Sequence, residues 1–185
     1  MSNYGISLQR LITGKANLIK TGAGTLCLQA SNNTFTGNTI IKGGIISCGT
    51  LIVKNTTGSA TGTYNVTLAN TGVLGGTGLI SGSFTMNSGS NLSPGNGSAG
   101  TLTISSNLVL QTGSKTTFKI SVSAGNKLKV GATLILKGML EMVNQGVAYQ
   151  SGSSFILFTA AIASGIFDAL LPLFRLLDLK GIHHV

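Results

Sequence analysis

The chain has no tryptophan, two prolines, two cysteines and, in 185 residues, only three acidic side chains, Glu141, Asp168 and Asp178. Each shortage removes a class of chemistry. A glycosidase needs a carboxylate pair, and Glu141 has no acidic neighbour in sequence, while Asp168 and Asp178 fall in the last part of the chain. A serine nucleophile needs a histidine and an acid to activate it, yet the two histidines, His183 and His184, stand together at the very end. Aromatic residues are 5% of the chain, too few for the stacking platforms of a nucleic-acid interface. Cys27 and Cys48 form no CxxC and have no histidine near them, so no metal ligand set is expected. The sequence therefore nominates no catalytic, cofactor-binding or metal-binding residue.

Charge is scarce as well, at 8% of residues, and it is one-sided: twelve Lys and Arg against three acids give a formal net charge of +9. Such a balance attracts polyanions and anionic membranes without specificity. The distribution shows no designed patch. No charged side chain occurs from Asn55 to Ser114, and only Lys115 to Lys137 is dense. No specific nucleic-acid partner is expected. The N-terminal stretch MSNYGISLQRLITGKANLIK lacks an apolar run of signal-peptide length. The apolar run from Phe155 to Leu177 is interrupted by Asp168, Pro172 and Arg175, so no membrane span is expected within this chain.

What is abundant is glycine, 27 residues, among 42% hydrophobic residues. From Gly72 to Ile104 the sequence reads GVLGGTGLISGSFTMNSGSNLSPGNGSAGTLTI: short apolar pairs separated by Gly, Ser, Thr or Asn. A glycine inside a helix costs about 1 kcal/mol relative to alanine, so a helix is excluded and brief strands joined by bends fit. The triplet Gly-Thr-Leu begins at Gly24, Gly49 and Gly100, with Gly72-Val73-Leu74 in an equivalent setting, at intervals of 25, 23 and 28 residues. Irregular spacing of this size suits a solenoid, in which extra residues swell the corners and each turn needs only its neighbours. A sandwich would show longer alternating strands and hairpin turns of the Asn-Gly kind, and Asn96-Gly97 is the single such pair.

The segment from Leu18 to Leu28 reads as strand, glycine corner, strand, and after a polar corner from Ser31 to Gly37 further strands are expected at Thr39–Lys42, Ile45-Ile46 and Thr50–Val53. They continue at Asn107–Leu110, Lys115–Val122, Lys127–Val130, Thr133–Leu136 and Leu140–Val143. Lys115, Lys119, Lys127, Lys129 and Lys137 should alternate outward opposite Phe118, Ile120, Leu128, Val130 and Leu136. Gly75-Gly76-Thr77-Gly78 and Gly95-Asn96-Gly97 look like phosphate cradles, but no helix or lysine follows as that mechanism requires, so they are corner glycines. Five Asn-X-Ser/Thr triplets, beginning at Asn32, Asn55, Asn65, Asn91 and Asn96, follow from a composition rich in those residues. Cys27 and Cys48, 21 residues apart, fall on neighbouring turns of a solenoid, and both the bridged and the free state stay open.

Three segments carry a resemblance to a known family. Leu18-Ile19-Lys20-Thr21-Gly22-Ala23-Gly24-Thr25-Leu26, then Asn33-Thr34-Phe35-Thr36-Gly37, then Cys48-Gly49-Thr50-Leu51, resemble the autotransporter-associated β-strand repeat of passenger domains in type V secreted bacterial proteins. The likeness runs on through Leu74-Gly75-Gly76-Thr77-Gly78 and Leu92-Ser93-Pro94-Gly95-Asn96 to Ala99-Gly100-Thr101-Leu102. It implies an all-β fold, a right-handed parallel β-helix, secreted or displayed at the cell surface. The chain departs from the family in its basic charge, in its two cysteines, and after Asp168, where a Leu-Pro pattern is kept only briefly.

The expected organisation is an N-terminal partial coil or cap over residues 1–17, solenoid repeats over 18–150, and a terminal coil or an irregular or helical cap over 151–185. The expected role is non-catalytic: a structural or adhesive segment facing a host surface or glycan. End-to-end self-association and weak polyanion or glycan binding are the alternatives, and no cofactor is implied.

Overall fold

The structure, a computed structural model, describes residues 5–30, 32–42, 50–95, 99–121, 125–145 and 154–171. The chain winds in successive turns. The first carries β1 (Gly5–Leu8) and β2 (Leu18–Lys20), the second β3 (Thr25–Leu28) and β4 (Thr39–Ile41), the third β5 (Thr50–Val53) and β6 (Val66–Leu68). The fourth has three strands, β7 (Val73–Gly76), β8 (Leu79–Ile80) and β9 (Phe84–Met86), as has the fifth, with β10 (Asn91–Pro94), β11 (Thr101–Ile104) and β12 (Leu108–Leu110). Then come β13 (Lys115–Ile120) and β14 (Lys127–Leu136), β15 (Met139–Asn144) and β16 (Phe158–Gly165), and β17 (Ala169–Leu171) opens an eighth turn. The described residues contain strands and no helix.

One side of the solenoid is an eight-stranded sheet in the order β1-β3-β5-β7-β10-β13-β15-β17. A second sheet runs β2-β4-β6-β9-β12-β14-β11-β8, with β16 paired to β14. The ten-residue β14 joins two sides: its first half pairs with β11 and its second half with β12, all parallel. Every pairing between named strands is parallel, and among the described residues the two antiparallel contacts are isolated bridges, Gly76 with Gly95 and Ile120 with Gly125. This is a parallel β-helix. At about 4.8 Å per turn the eight-stranded side is about 34 Å long.

Strand alternation turns one set of side chains inward, and stacking aligns them in columns. Leu51, Leu74 and Leu92 follow one another in register and are each 0% exposed, with Leu140 further along. On another side Ile41, Leu68 and Met86 do the same. Fully burying one such side chain stabilises by about 1.5–3 kcal/mol. The columns are therefore what offsets the cost of ordering a glycine-rich backbone. Lys127 and Lys129 are exposed between buried Leu128 and Val130, the alternation read from the sequence.

Several expectations are corrected here. Thr25, Thr50 and Val73 lie in register on the eight-stranded sheet, as the triplets implied, but Thr101 does not join them. It begins β11 on another side, pairing with Lys127, and the turn after Val73 is entered by Asn91, 18 residues on. The interval of 28 residues therefore compares positions on two different sides. Of the stretch read as a polar corner from Ser31 to Gly37, Ser31 lies outside the described residues and residues 32–37 form a side of the solenoid: Asn33, Phe35 and Gly37 are buried in alternation, and Thr34 N donates to Ile12 O at 3.0 Å on the previous turn. Gly75 and Gly76, read as corner glycines, are strand residues of β7. Gly76 has φ +121°, and a Cβ on it would overlap the Val53 carbonyl one turn back. The helical alternative for the terminal segment fails over residues 154–171, which hold β16 and β17. Ile45-Ile46, Cys48, Asn96-Gly97, residues 172–185 and, with them, Asp178, His183 and His184 lie outside the described residues.

Candidate functional site

A cluster of paired polar side chains lies outward on β10, β13 and β15. The sequence brings it about simply: alternation on β13 turns Phe118 and Ile120 inward and leaves Lys115, Thr117 and Lys119 outward. Lys115 aligns with Asn91 on one side and Met139 on the other, and Thr117 with Glu141. Lys115 Nζ lies 3.0 Å from Glu141 Oε2. Thr117 Oγ1 lies 2.9 Å from the same Oε2 and 3.1 Å from Asn91 Oδ1. Its single proton serves one of them at a time. The Lys115 and Thr117 hydrogen bonds hold the Glu141 carboxyl below its ordinary pKa, against a smaller opposing effect of desolvation. With side chains 39% and 29% exposed, the pair is worth about 0–1 kcal/mol.

Beside it runs a shallow groove of about 400 Å³ whose rim includes Ser114, Lys115, Gly138 and Asp168. Ser114 and Asp168 on this rim are engaged with the backbone. Ser114 Oγ donates to Gln111 O at 2.6 Å, and Asp168 Oδ2 accepts from Gly138 N at 2.8 Å. Asp168 thus ties the turn that β17 opens to the one before it. No histidine faces this cluster among the described residues, and Glu141 and Asp168 each serve a brace. Its chemistry is that of a staple across neighbouring strands: an ionised carboxylate held between a cation and a hydroxyl. Among the described residues no group of three or more His, Cys, Asp or Glu could hold a metal ion, and no helix is long and apolar enough to cross a membrane.

Polar groups that the sequence reading passed over are inside the solenoid. Asn33 is fully buried; its Oδ1 accepts from Ile12 N at 2.8 Å, one turn earlier, and its Nδ2 donates to Ala60 O at 2.6 Å, one turn later. Asn55 Oδ1 accepts from Leu79 N at 2.9 Å while its Nδ2 reaches Thr57 O and Gly58 O. These amides replace ladder bonds where the backbone is irregular. A signal was present for Asn33: it alternates with Phe35, an inward aromatic. Outside, Asn17 Oδ1 accepts from Asn38 N at 2.8 Å and Asn107 Oδ1 from Thr133 N at 3.1 Å, again joining neighbouring turns. Cys27 is a free, half-buried thiol. Of the Asn-X-Ser/Thr triplets, Asn55 is buried and bonded, while Asn32 and Asn65 are exposed.

Residues 18–47 match the family model of the passenger-associated-transport-repeat. An extracellular serine protease of Serratia marcescens is 35% identical over 104 residues, which is 56% of this chain and 9% of that protein. The chain thus spans a small part of the relative it matches. Both findings point to a segment of a secreted bacterial protein.

Proposed function

We propose that this chain, which carries an autotransporter passenger repeat, is a non-catalytic stalk or spacer segment of a secreted or surface-displayed bacterial protein. One observation supports the reading above the rest. The ordered polar side chains of Asn33, Asn55, Thr117, Glu141 and Asp168 are spent on joining one turn to the next. A catalytic site instead keeps titratable groups aimed at a space that a substrate can enter. The role that remains is mechanical. Parallel backbone ladders and apolar columns hold a rod, and the rod presents Thr, Ser, Asn and Lys to a host surface or a glycan.

The protease relative supplies the rival class, and a direct test separates them. A fluorophosphonate probe labels activated serines; the folded chain is expected to take up none above a heat-denatured control, and stoichiometric labelling would end the stalk reading. For placement, antibody raised against the folded chain should stain intact cells of the encoding bacterium, and staining only after lysis would argue for an internal protein.

A second reading is weak polyanion binding, favoured by Lys127 and Lys129 projecting outward from one strand. Attraction of this kind is screened by salt. Retention on a heparin column that persists above physiological ionic strength would raise this reading over the stalk.

A further inference from the structure

One outward ladder on the second sheet differs from the rest of the surface. Ile19, Ile40, Thr67, Thr85, Val109 and Ile135 stand in register, one from each of six successive turns, and all are β-branched. Ile19 and Ile135 are exposed and the four between them half-buried. At about 4.8 Å per turn the ladder is about 24 Å long. β-Branched side chains are stiff, so this stripe is ordered before anything meets it. Two residues back along the same strands runs a polar row. In it Asn17 and Asn107 commit their amide oxygens to the backbone of the next turn, while Asn38 and Asn65 present exposed amides to solvent.

Tyr64 borders that row. It precedes Asn65 at a bend, is 54% exposed, and has a glycine on either side: the register, continued, sets Gly37 opposite it on the turn before and Gly82 on the turn after. A Cβ on Gly82 would overlap the Tyr64 carbonyl, and one on Gly37 the Ala16 carbonyl. The close approach of the turns thus keeps both neighbouring positions clear of side chains that would cover the ring. From Asn55 to Ser114, the stretch that supplies Tyr64, Thr67, Thr85 and Val109, no side chain is charged.

We infer that this strip is a binding surface for an uncharged polysaccharide, which lies along the rod with a sugar ring stacked on Tyr64. The inference rests on the stalk reading and names the partner and the side of the rod that meets it. Charge decides among partners. In a chain of net charge +9, a polyanion or an anionic membrane is drawn to the lysines between Lys115 and Lys137, away from a neutral strip, and two copies of the chain repel one another. A neutral sugar escapes both effects. Its C–H faces fit the tyrosine ring and the methyl groups of the ladder, and its hydroxyls pair with amides that both donate and accept. A pyranose with its linkage is close in length to the rise of one turn, so an extended chain follows the ladder. Stiff β-branched side chains and a tyrosine lose little freedom when they are covered.

The test is titration of the full chain with neutral hexasaccharides of β-linked glucose, N-acetylglucosamine and mannose, followed by backbone amide NMR. At least one is expected to shift Asn65, Thr67 and Thr85, with the same affinity at low and physiological salt. Tyr64→Ala should weaken that binding about tenfold or more, and Tyr64→Phe, which keeps the ring, should retain most of it. Tyr64 is on the surface, so both variants should keep the parent's far-UV circular dichroism. Replacing Lys127 and Lys129 by Gln should change nothing. No shift with any of the three sugars, or Tyr64→Ala binding as well as the parent, would overturn the inference. Two other results would overturn it as well. Tighter, salt-sensitive shifts of the same amides by a heparin hexasaccharide would give the strip to a polyanion, and shifts that follow protein concentration without sugar would give it to a second copy. All of these leave the stalk reading in place. That reading fails separately if the titrations release reducing ends, the mark of a glycosidase.

Discussion

Replacing Asn33 by alanine removes an amide that bridges three consecutive turns. Ile12 N loses its acceptor and Ala60 O its donor. A buried neutral hydrogen bond contributes about 1 kcal/mol, and stranding a partner raises the cost to about 1–3 kcal/mol for each group. Ile12 is half-buried and recovers part of this from water, whereas Ala60 is 0% exposed and cannot. The expected loss is therefore about 2–4 kcal/mol, a large share of the stability of a domain held by about 5–15 kcal/mol. Asn17→Ala provides the control: it deletes the same chemistry, the bond to Asn38 N at 2.8 Å, in an exposed setting, and should cost under about 1 kcal/mol. Guanidinium unfolding followed by far-UV circular dichroism gives both values. Because each turn of a solenoid leans on its neighbours alone, hydrogen exchange should accelerate at Ile12 and the turns beside it in the Asn33 variant, with Leu128 and Met139 unchanged. Equal, small losses for the two variants would refute the claim that the buried amide holds these turns together.

Other consequences are quicker to state. Glu141→Gln should cost about 0–1 kcal/mol at neutral pH. The Glu141 carboxyl is held below its ordinary pKa in the fold, so its contribution is present above the unfolded-state value and drains away as pH falls through the folded one. The variant's deficit should accordingly vanish under acid, and a deficit that grows there would reverse the sign. Thr71 has φ +58° and stacks on Gly89 and Gly113 of the following turns, with Thr71 N donating to Gly89 O at 3.1 Å. A β-branched residue is strained there, and glycine relieves about 1–2 kcal/mol at an entropic cost of about 0.5–1 kcal/mol, so Thr71→Gly should raise the midpoint of thermal unfolding slightly. Gly76→Ala, which forces a Cβ into the Val53 carbonyl at φ +121°, should lower stability by several times the roughly 1 kcal/mol that backbone strain alone costs. In the core, Leu74→Ala should cost about 2–5 kcal/mol in the same denaturation assay.

Much of the fold was legible because its rules are local. A leucine next to a bend and a short β-branched run reads as a strand whatever surrounds it, and Thr25, Thr50 and Val73 fall on one sheet as their triplets implied. The same locality misleads at Thr101. A glycine bend, an outward threonine and an inward leucine serve the entry to any side of the solenoid, so Gly100-Thr101-Leu102 begins β11, while the sheet of Val73 continues through Ser90-Asn91-Leu92. Nothing in a triplet says which side it enters. The Asn33 stretch was misread for a related reason: an asparagine signals a turn unless its amide has backbone partners one turn away, and those partners, Ile12 and Ala60, are 21 and 27 residues distant. The Lys115–Glu141 pair was out of reach for the same cause, being set by the 24-residue length of one turn, Lys115 to Met139. Lys20 inside an apolar column is the other surprise. Its residue type says surface, and only the carbonyls of Thr21 and Gly22 make the position tolerable.

The stacking of turns is reached most directly by nuclear Overhauser contacts between methyl-labelled leucines. Parallel coiling places Leu51 on Leu74 and Leu74 on Leu92, and carries Leu102 to another side opposite Leu128. Strong contacts along Leu51, Leu74 and Leu92, with Leu102 paired to Leu128, are the expected pattern. Close Hα–Hα contacts between β7 and β10, the mark of antiparallel neighbours, would contradict the solenoid and everything built on it.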